Sequence, residues 1–373
     1  MKIKEIIQNA ALQKLLKSFW SVISLSVIAA CGVMALLAYV VAPDNSYNAN
    51  QMHLSIHSKA PGFTVPILNV PNQIKTEQSF FSKYFIGDKN SSWEYPYSKL
   101  EFTDTTILLY PYSEDKEIQL SPKEIALSSF NLNVSSFNSQ KFKERFTSEK
   151  TFYLGTDKYG RDVLSRLIVG SRISFSIGFI AVFISVVIGL LLGAISGYYG
   201  GKVDAFVMWF INVVWSIPTL LLVIAITLAL GKGLWQVYLA VGLTMWVEVA
   251  RVVRGQVISV KEQQYITAAK TLGFSDWRII TKHVLPNVYT PVIVISAANF
   301  AGAILIESGL SFLGIGAQPP TPSWGSMIKD HYSYIILGKA YLALTPGIAI
   351  MLLVMAFMLF GNGLRDALDV KRN

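Results

Sequence analysis

The chain has 373 residues, of which 52% are apolar and 15% charged, with a formal net charge of +9 and one cysteine. Soluble domains carry about 25% charged residues, so a solvated surface around one core is excluded, as are disorder and coiled coil. Cys31 has no partner, which excludes a disulfide framework.

A bilayer core of about 30 Å takes roughly 20 apolar helical residues. Six stretches reach that length: 19–42, 173–196, 206–230, 234–250, 288–306 and 341–360. Outside them, 14 Lys and Arg fall on the side holding both termini, against three (Lys232, Lys329, Lys339) in the short loops opposite. The positive-inside rule then places both termini in the cytoplasm. Residues 43–172 hold 15 basic and 14 acidic side chains, so the basic excess reflects membrane orientation, and nucleic acid is not expected as a partner. The fold class read here is a mainly α polytopic membrane protein with six transmembrane helices.

In chain order, residues 1–42 read as a cytoplasmic tail and first span. Ile28-Ala29-Ala30-Cys31 faintly resembles a lipoprotein cleavage site, but the apolar run continues to Ala42. An uncleaved helix fits better, with Cys31 as a small packing residue. Residues 43–154 turn to Ser, Asn, Lys, Tyr and Phe, and alternating pieces at 63–70 and 105–110 read as strands. They form a mixed or mainly β exoplasmic domain. His53 and His57 lie four apart in an extended segment with no third ligand, so no metal site is expected. Asp157, Arg161 and Asp162 read as fixing an external elbow before the second span, not as catalysts.

Gly189, Gly193 and Gly197 give that span one smooth face for close helix contact. Pro218 is expected to kink or break the third span. Glu248 lies three residues before Arg251 on one helix face, favouring a structural pair over contact with a transported solute. Asn212 and Asn299 read as bridges between helices. Glu307 either caps amides of a re-entrant stretch at 308–316 or lines a pathway.

The segment 262–287 is the most informative. Gly273 suits the left-handed position ending one short helix. Ser275 and Asp276 suit the cap and first turn of another, and Pro286 is expected to stop or kink it. Ala268 and Ala269 offer a smooth surface to a docking partner. An amphipathic helix on the membrane is the alternative.

The spacing Ala-Ala-x3-Gly-x11-Leu-Pro, set by Ala268, Ala269, Gly273, Leu285 and Pro286, resembles the EAA loop of ATP-binding-cassette importer permeases. Thr267 stands where that pattern has Glu, and His283 where it usually has Ile. The ending His283-Val284-Leu285-Pro286-Asn287 is similar to the peptide/nickel subfamily. So are Gly155-Thr156-Asp157-Lys158-Tyr159-Gly160-Arg161-Asp162 before the second span, Leu310-Ser311-Phe312-Leu313-Gly314-Ile315-Gly316 after the fifth, Pro319-Pro320-Thr321-Pro322-Ser323-Trp324-Gly325, and Leu364-Arg365-Asp366-Ala367-Leu368-Asp369 at the end. The likeness covers about 150–373 and looks closest to the C-type permease of oligopeptide and dipeptide importers. The long insert departs from shorter relatives.

The resemblance implies a multi-pass permease of the bacterial cytoplasmic (inner) membrane, with residues 155–373 as the transmembrane domain. A second homologous permease would complete the pathway, two ATP-binding-cassette ATPases would drive it, and an extracytoplasmic peptide-binding protein would deliver the solute. Thr267, Ala268, Ala269, Gly273, His283, Leu285 and Pro286 would couple to the ATPases. No cofactor is expected on this chain besides membrane lipid around it. ATP and Mg would sit on the partners, since no G-x4-G-K-[ST] loop is present, and no enzyme activity is expected. Nickel chelates or another solute are alternatives to peptides. A proton-coupled secondary transporter using Glu248 and Glu307 is a rival, although internal repeats typical of such proteins are not evident. A membrane-tethered module working through residues 43–150 is a second rival, which leaves the 262–287 segment unexplained.

Overall fold

The computed structural model describes residues 12–73, 77–114, 121–130 and 138–368. Lys2, Lys4, Asp369, Lys371 and Arg372, which enter the charge and motif readings above, lie outside the described residues.

The elements in chain order are α1 (Phe19–Leu36), α2 (Ala38–Val41), β1 (Phe63–Val70), α3 (Phe80–Ile86), β2 (Trp93–Phe102), β3 (Thr106–Pro111), β4 (Lys123–Ala126), α4 (Ser139–Phe146) and β5 (Thr147–Phe152). There follow α5 (Val163–Tyr199), α6 (Gly201–Trp215), α7 (Thr219–Leu230), α8 (Leu234–Lys261), α9 (Gln264–Thr271), α10 (Asp276–Ile279), a π turn (Ile280–Val284), α11 (Leu285–Leu313), α12 (Trp324–His331) and α13 (Tyr341–Leu368). The chain forms two compact units, one of residues 1–33, 173–318 and 347–373, the other of 34–172 and 319–346.

The first unit is helical. Among the described residues, five helices are long and apolar enough to cross a membrane: α1, α5, α8, the continuous Asp276–Leu313 and α13. A sixth crossing is available if α6 and α7, bent by 88° at their junction, count as one. Pro218 supplies the break, because it lacks an N–H and disfavours helical geometry at Ile217. Gly189, Gly193 and Gly197 of α5 face α8 so closely that an added Cβ would lie 2.5 Å from Val249 Cβ, 2.6 Å from the Ala250 carbonyl and 2.8 Å from the Arg254 carbonyl. That approach is what small residues permit.

Several expected boundaries are corrected. The first span, expected to reach 42, breaks at Leu37 (φ −91°, ψ 14°) before α2. The helix that carries the second span begins at Val163, ahead of the expected apolar stretch from 173, and α8 runs to Lys261, past the expected end at 250. In both cases charged residues end the apolar run but not the helix, because they find polar partners: Arg166 near Asp157 at 3.9 Å, and Arg254 on Asp204. The stretch 308–316 is not re-entrant. α11 continues to Leu313 and stops at Gly314 (φ 80°), whose N–H donates back to the Leu310 and Ser311 carbonyls.

The second unit carries a five-stranded sheet in the order β4-β3-β2-β1-β5, antiparallel at every pair. Leu68, Val70, Ile107, Leu109 and the rings of Phe130, Phe142 and Phe146 fill one core, and Ile56, Val65, Ile67 and Phe152 another. α4 starts where the Asn138 side chain accepts from the amides of Gln140 and Lys141. Trp324 of α12 is fully buried and donates to the Leu167 carbonyl at 2.9 Å.

Candidate functional site

The segment 264–287 is built as a two-faced element. Ile266 and Ala269 of α9, with Ile279, Ile280 and Val284, are buried in a cluster with Tyr198, Val253, Val257 and Val288. The opposite face is open: Thr267, Ala268, Lys270, Thr271 and Gly273 are exposed, with Leu272 73% and Trp277 71% exposed. Large apolar side chains left this bare on an ordered element mark a contact surface. Ala268 and Ala269 therefore do not share a docking surface. Successive helical residues point about 100° apart, so Ala269 packs inward and Ala268 alone faces out.

α9 ends through Gly273, at φ 77° with open space around its Cβ position. The requirement for glycine here is conformational, not steric. Ser275 occupies the N-cap position of α10 with extended backbone, but its side chain makes no cap bond. Asp276 instead accepts from the Tyr198 hydroxyl at 2.7 Å. The Lys270 ammonium lies 5.1 Å from the Tyr198 ring centroid and that of Lys261 5.8 Å.

Pro286 neither stops nor kinks this helix. It falls in the first turn of α11, directly after the π turn. Proline removes one N–H and crowds the carbonyl four residues back. Here the turn is already widened, with the Leu285 N–H bonded to the Ile280 carbonyl. The side-chain Nδ2 of Asn287 donates to the His283 carbonyl at 2.6 Å. His283 stacks on Phe274, with ring centroids 6.0 Å apart, and Leu285 and Pro286 are half-buried.

At the elbow, the buried Asp157 carboxylate accepts from the amides of Tyr159 (2.8 Å) and Arg161 (2.9 Å) and from Arg161 Nε (2.6 Å). Arg161 also donates to Asn50 at 3.1 Å. Asp162 accepts from the Ser165 amide at 3.0 Å and from its hydroxyl, which caps α5. Burial nevertheless pushes the Asp162 carboxyl above its ordinary range, against these two bonds. His53 lies 3.5 Å from Glu94, and among the described residues no three His, Cys, Asp or Glu side chains converge as metal ligands.

The expected Glu248–Arg251 pair is absent among the described residues. Arg251 donates to Asn212 at 2.6 Å and lies 3.6 Å from the Trp215 ring centroid. A planar guanidinium gains both a hydrogen bond and a stacking partner there, so Asn212 does bridge two helices. Asn299 is not seen to bridge: it is 3% exposed and its Nδ2 has no hydrogen-bond partner among the described residues. Glu307 is fully buried and accepts from Ser311 Oγ at 2.6 Å, and that hydroxyl accepts from the Ala317 amide at 3.0 Å. It thus reaches the turn after α11 through Ser311.

Sequence reading missed the bidentate pair of Arg254 with Asp204, at 2.6 Å for both contacts, and the Tyr198–Asp276 bond. An aspartate opening an otherwise apolar helix was the available signal for the first.

Residues 189–372 match the protein family described as the inner membrane component of binding-protein-dependent transport systems. The chain is 41% identical over 219 residues to the dipeptide transport system permease protein DppC of Alkalihalophilus pseudofirmus, spanning 59% of this chain and 72% of that protein. With the same shares of each chain, it is 39% identical to the glutathione transport system permease protein GsiD of Pectobacterium atrosepticum. It is 42% identical to DppC of Bacillus subtilis, over 59% of this chain and 68% of that one.

Proposed function

The chain belongs to the family of inner membrane components of binding-protein-dependent transport systems, and from that premise we propose that it conducts short peptides. It is a multi-pass inner-membrane permease of an ATP-binding-cassette importer, and works with ATPase subunits and a second permease. The peptide reading draws on the dipeptide and glutathione permeases it is similar to.

In the proposed mechanism, the exposed face of α9 and α10 seats on the ATPases, which bind ATP and Mg. Closure of the ATPases displaces α11, whose far end lies at Leu313, and alternating access follows if the element has two stable arrangements. The observation that carries this is the two-faced build of 264–287: one side buried against α8 and α11, the other presenting Leu272 and Trp277. The 43–154 insert lies outside the cytoplasm in this scheme, where a peptide-binding protein delivers substrate. Thr267, Ala268, Gly273 and His283 are assigned to coupling, while Ala269 holds the element to its own core.

The test is uptake of radiolabelled trialanine by proteoliposomes holding both permeases, both ATPases and the binding protein. Uptake is expected only with ATP on the ATPase side. Uptake driven by a proton gradient without ATP would overturn the reading in favour of a secondary transporter.

A further inference from the structure

A cavity of about 300 Å³ opens among α6, α7, α8 and α11, all within the first unit. That volume is at the small end of ligand sites. Trp215, Met245 and Ile306 give it apolar walls, and Glu248 and Asn299 are among its polar lining groups.

Three observations converge there. Glu248 makes no ion pair or hydrogen bond among the described residues; the nearby Arg251 points its guanidinium to Asn212 and the Trp215 ring, with Nε left unpartnered. The amide nitrogen of Asn299 is buried with no partner, a costly state in apolar surroundings unless something supplies an acceptor. The 88° break after Pro218 aims the start of α7 at the same space: Thr219 and Leu222 line it, and the first backbone bond of that helix is Leu222 N–H to the Pro218 carbonyl. The amides before Leu222 are therefore free to meet a negative or carbonyl oxygen. The cavity thus offers an unpaired carboxylate on one wall and donors on two others.

We propose that this cavity is a contact site for a peptide in transit, with Glu248 receiving its α-ammonium and Asn299 Nδ2 and the α7 amides receiving peptide carbonyl or carboxylate oxygens. The apolar walls accept varied side chains without selecting among them. A second space of about 770 Å³, which Gln256 and Arg365 help to line, shares Ala298 with the first. This inference rests on the peptide-importer reading above.

The test uses the complete importer in proteoliposomes, with Glu248→Gln, Glu248→Asp and Asn299→Ala, and measures trialanine uptake and binding-protein-stimulated ATP hydrolysis side by side. Glu248→Gln is expected to cut uptake at sub-saturating peptide by about tenfold and Asn299→Ala by about fivefold, with Glu248→Asp keeping about half. ATP hydrolysis should stay within about twofold of wild type in all three, a split that a merely structural role would not produce. Wild-type uptake in Glu248→Gln, or a parallel fall of uptake and hydrolysis, overturns the assignment. Should Glu248→Gln fail to insert, Asn299→Ala carries the same two outcomes. A wild-type complex that takes up no trialanine fails the importer reading itself, and this site with it.

Discussion

The hydroxyl of Tyr198, in the last turn of α5, donates to the carboxylate of Asp276, in the first turn of α10, at 2.7 Å. The two residues lie 78 positions apart, and their bond ties the end of one spanning helix to the proposed ATPase-facing element. A hydrogen bond to a charged group contributes about 1.5–3 kcal/mol when shielded. Asp276 is exposed, so about 1 kcal/mol is the reasonable figure. Tyr198→Phe should therefore lower peptide transported per ATP hydrolysed by about fivefold. Ser275→Ala should change nothing, because the Ser275 side chain makes no cap bond. Equal effects of the two substitutions on that ratio would contradict the assignment.

Gly273 is needed for its backbone and not for space. At φ 77° a side chain costs about 1–2 kcal/mol, least for Asn. Gly273→Val should insert normally, co-purify with less ATPase and lose most transport, while Gly273→Asn keeps the greater part of both. If valine leaves ATP-driven uptake intact, Gly273 does not set the docking geometry.

Arg254 and Asp204 form two parallel contacts at partly buried positions. A double-mutant cycle with Arg254→Ala and Asp204→Ala, read by thermal unfolding in detergent, should give a coupling of about 1–3 kcal/mol. Arg254→Lys should lose most of it, since an ammonium has no fork. Additive single losses would show that the pair contributes nothing specific.

His331 should make the second unit sensitive to acid. Its Nδ1–H donates to the Met327 carbonyl at 2.7 Å and its Nε2 accepts the Lys158 amide at 3.4 Å, an arrangement that requires the neutral ring. Burial lowers its pKa, helped by Lys158, against the Met327 bond and the Asp157 and Asp330 charges. Between the free value of about 6.5 and the depressed folded value, the unfolded chain binds more protons. Stability is therefore complete above about pH 6.5 and declines as pH falls below it. His331→Gln should flatten the difference between thermal midpoints at about pH 7.5 and about pH 5.5. Identical pH slopes in both proteins would sink the idea.

Orientation is open to single-cysteine labelling in a Cys31→Ala background. Ser98 on β2 and Ser275 before α10 are both exposed. Ser98→Cys should react with an impermeant maleimide in intact cells, and Ser275→Cys only after lysis. Reaction of Ser275→Cys from outside would invert the proposed topology.

What the sequence made legible was local. Alternation at 63–70 coincides with β1, and the glycine after α9 stands in the left-handed region, because each signal lies within a few residues of its effect. Charge misled wherever the partner was remote. The fourth span was expected to end at 250, before Arg251 and Arg254, because Asp204, 50 residues before Arg254, was not seen to neutralise it. Glu248 and Arg251 share a helix face, yet Asn212 and Trp215 from α6 claim the arginine. The Ala268-Ala269 doublet looked like one surface because a sequence carries no record of which way a short helix is rolled against its own core.

The π turn at Ile280–Val284 has a mechanical consequence. Without a break there, Asp276–Leu313 is one rod of 38 residues, about 57 Å from end to end. Trp277 at the loaded end and Asn299 beside the cavity lie on the same shaft, about 33 Å apart. A hinge would absorb part of any thrust applied at Trp277. A thrust delivered at Trp277 therefore runs toward Asn299 through the π turn and past Pro291, the two places where the backbone ladder of this shaft is altered.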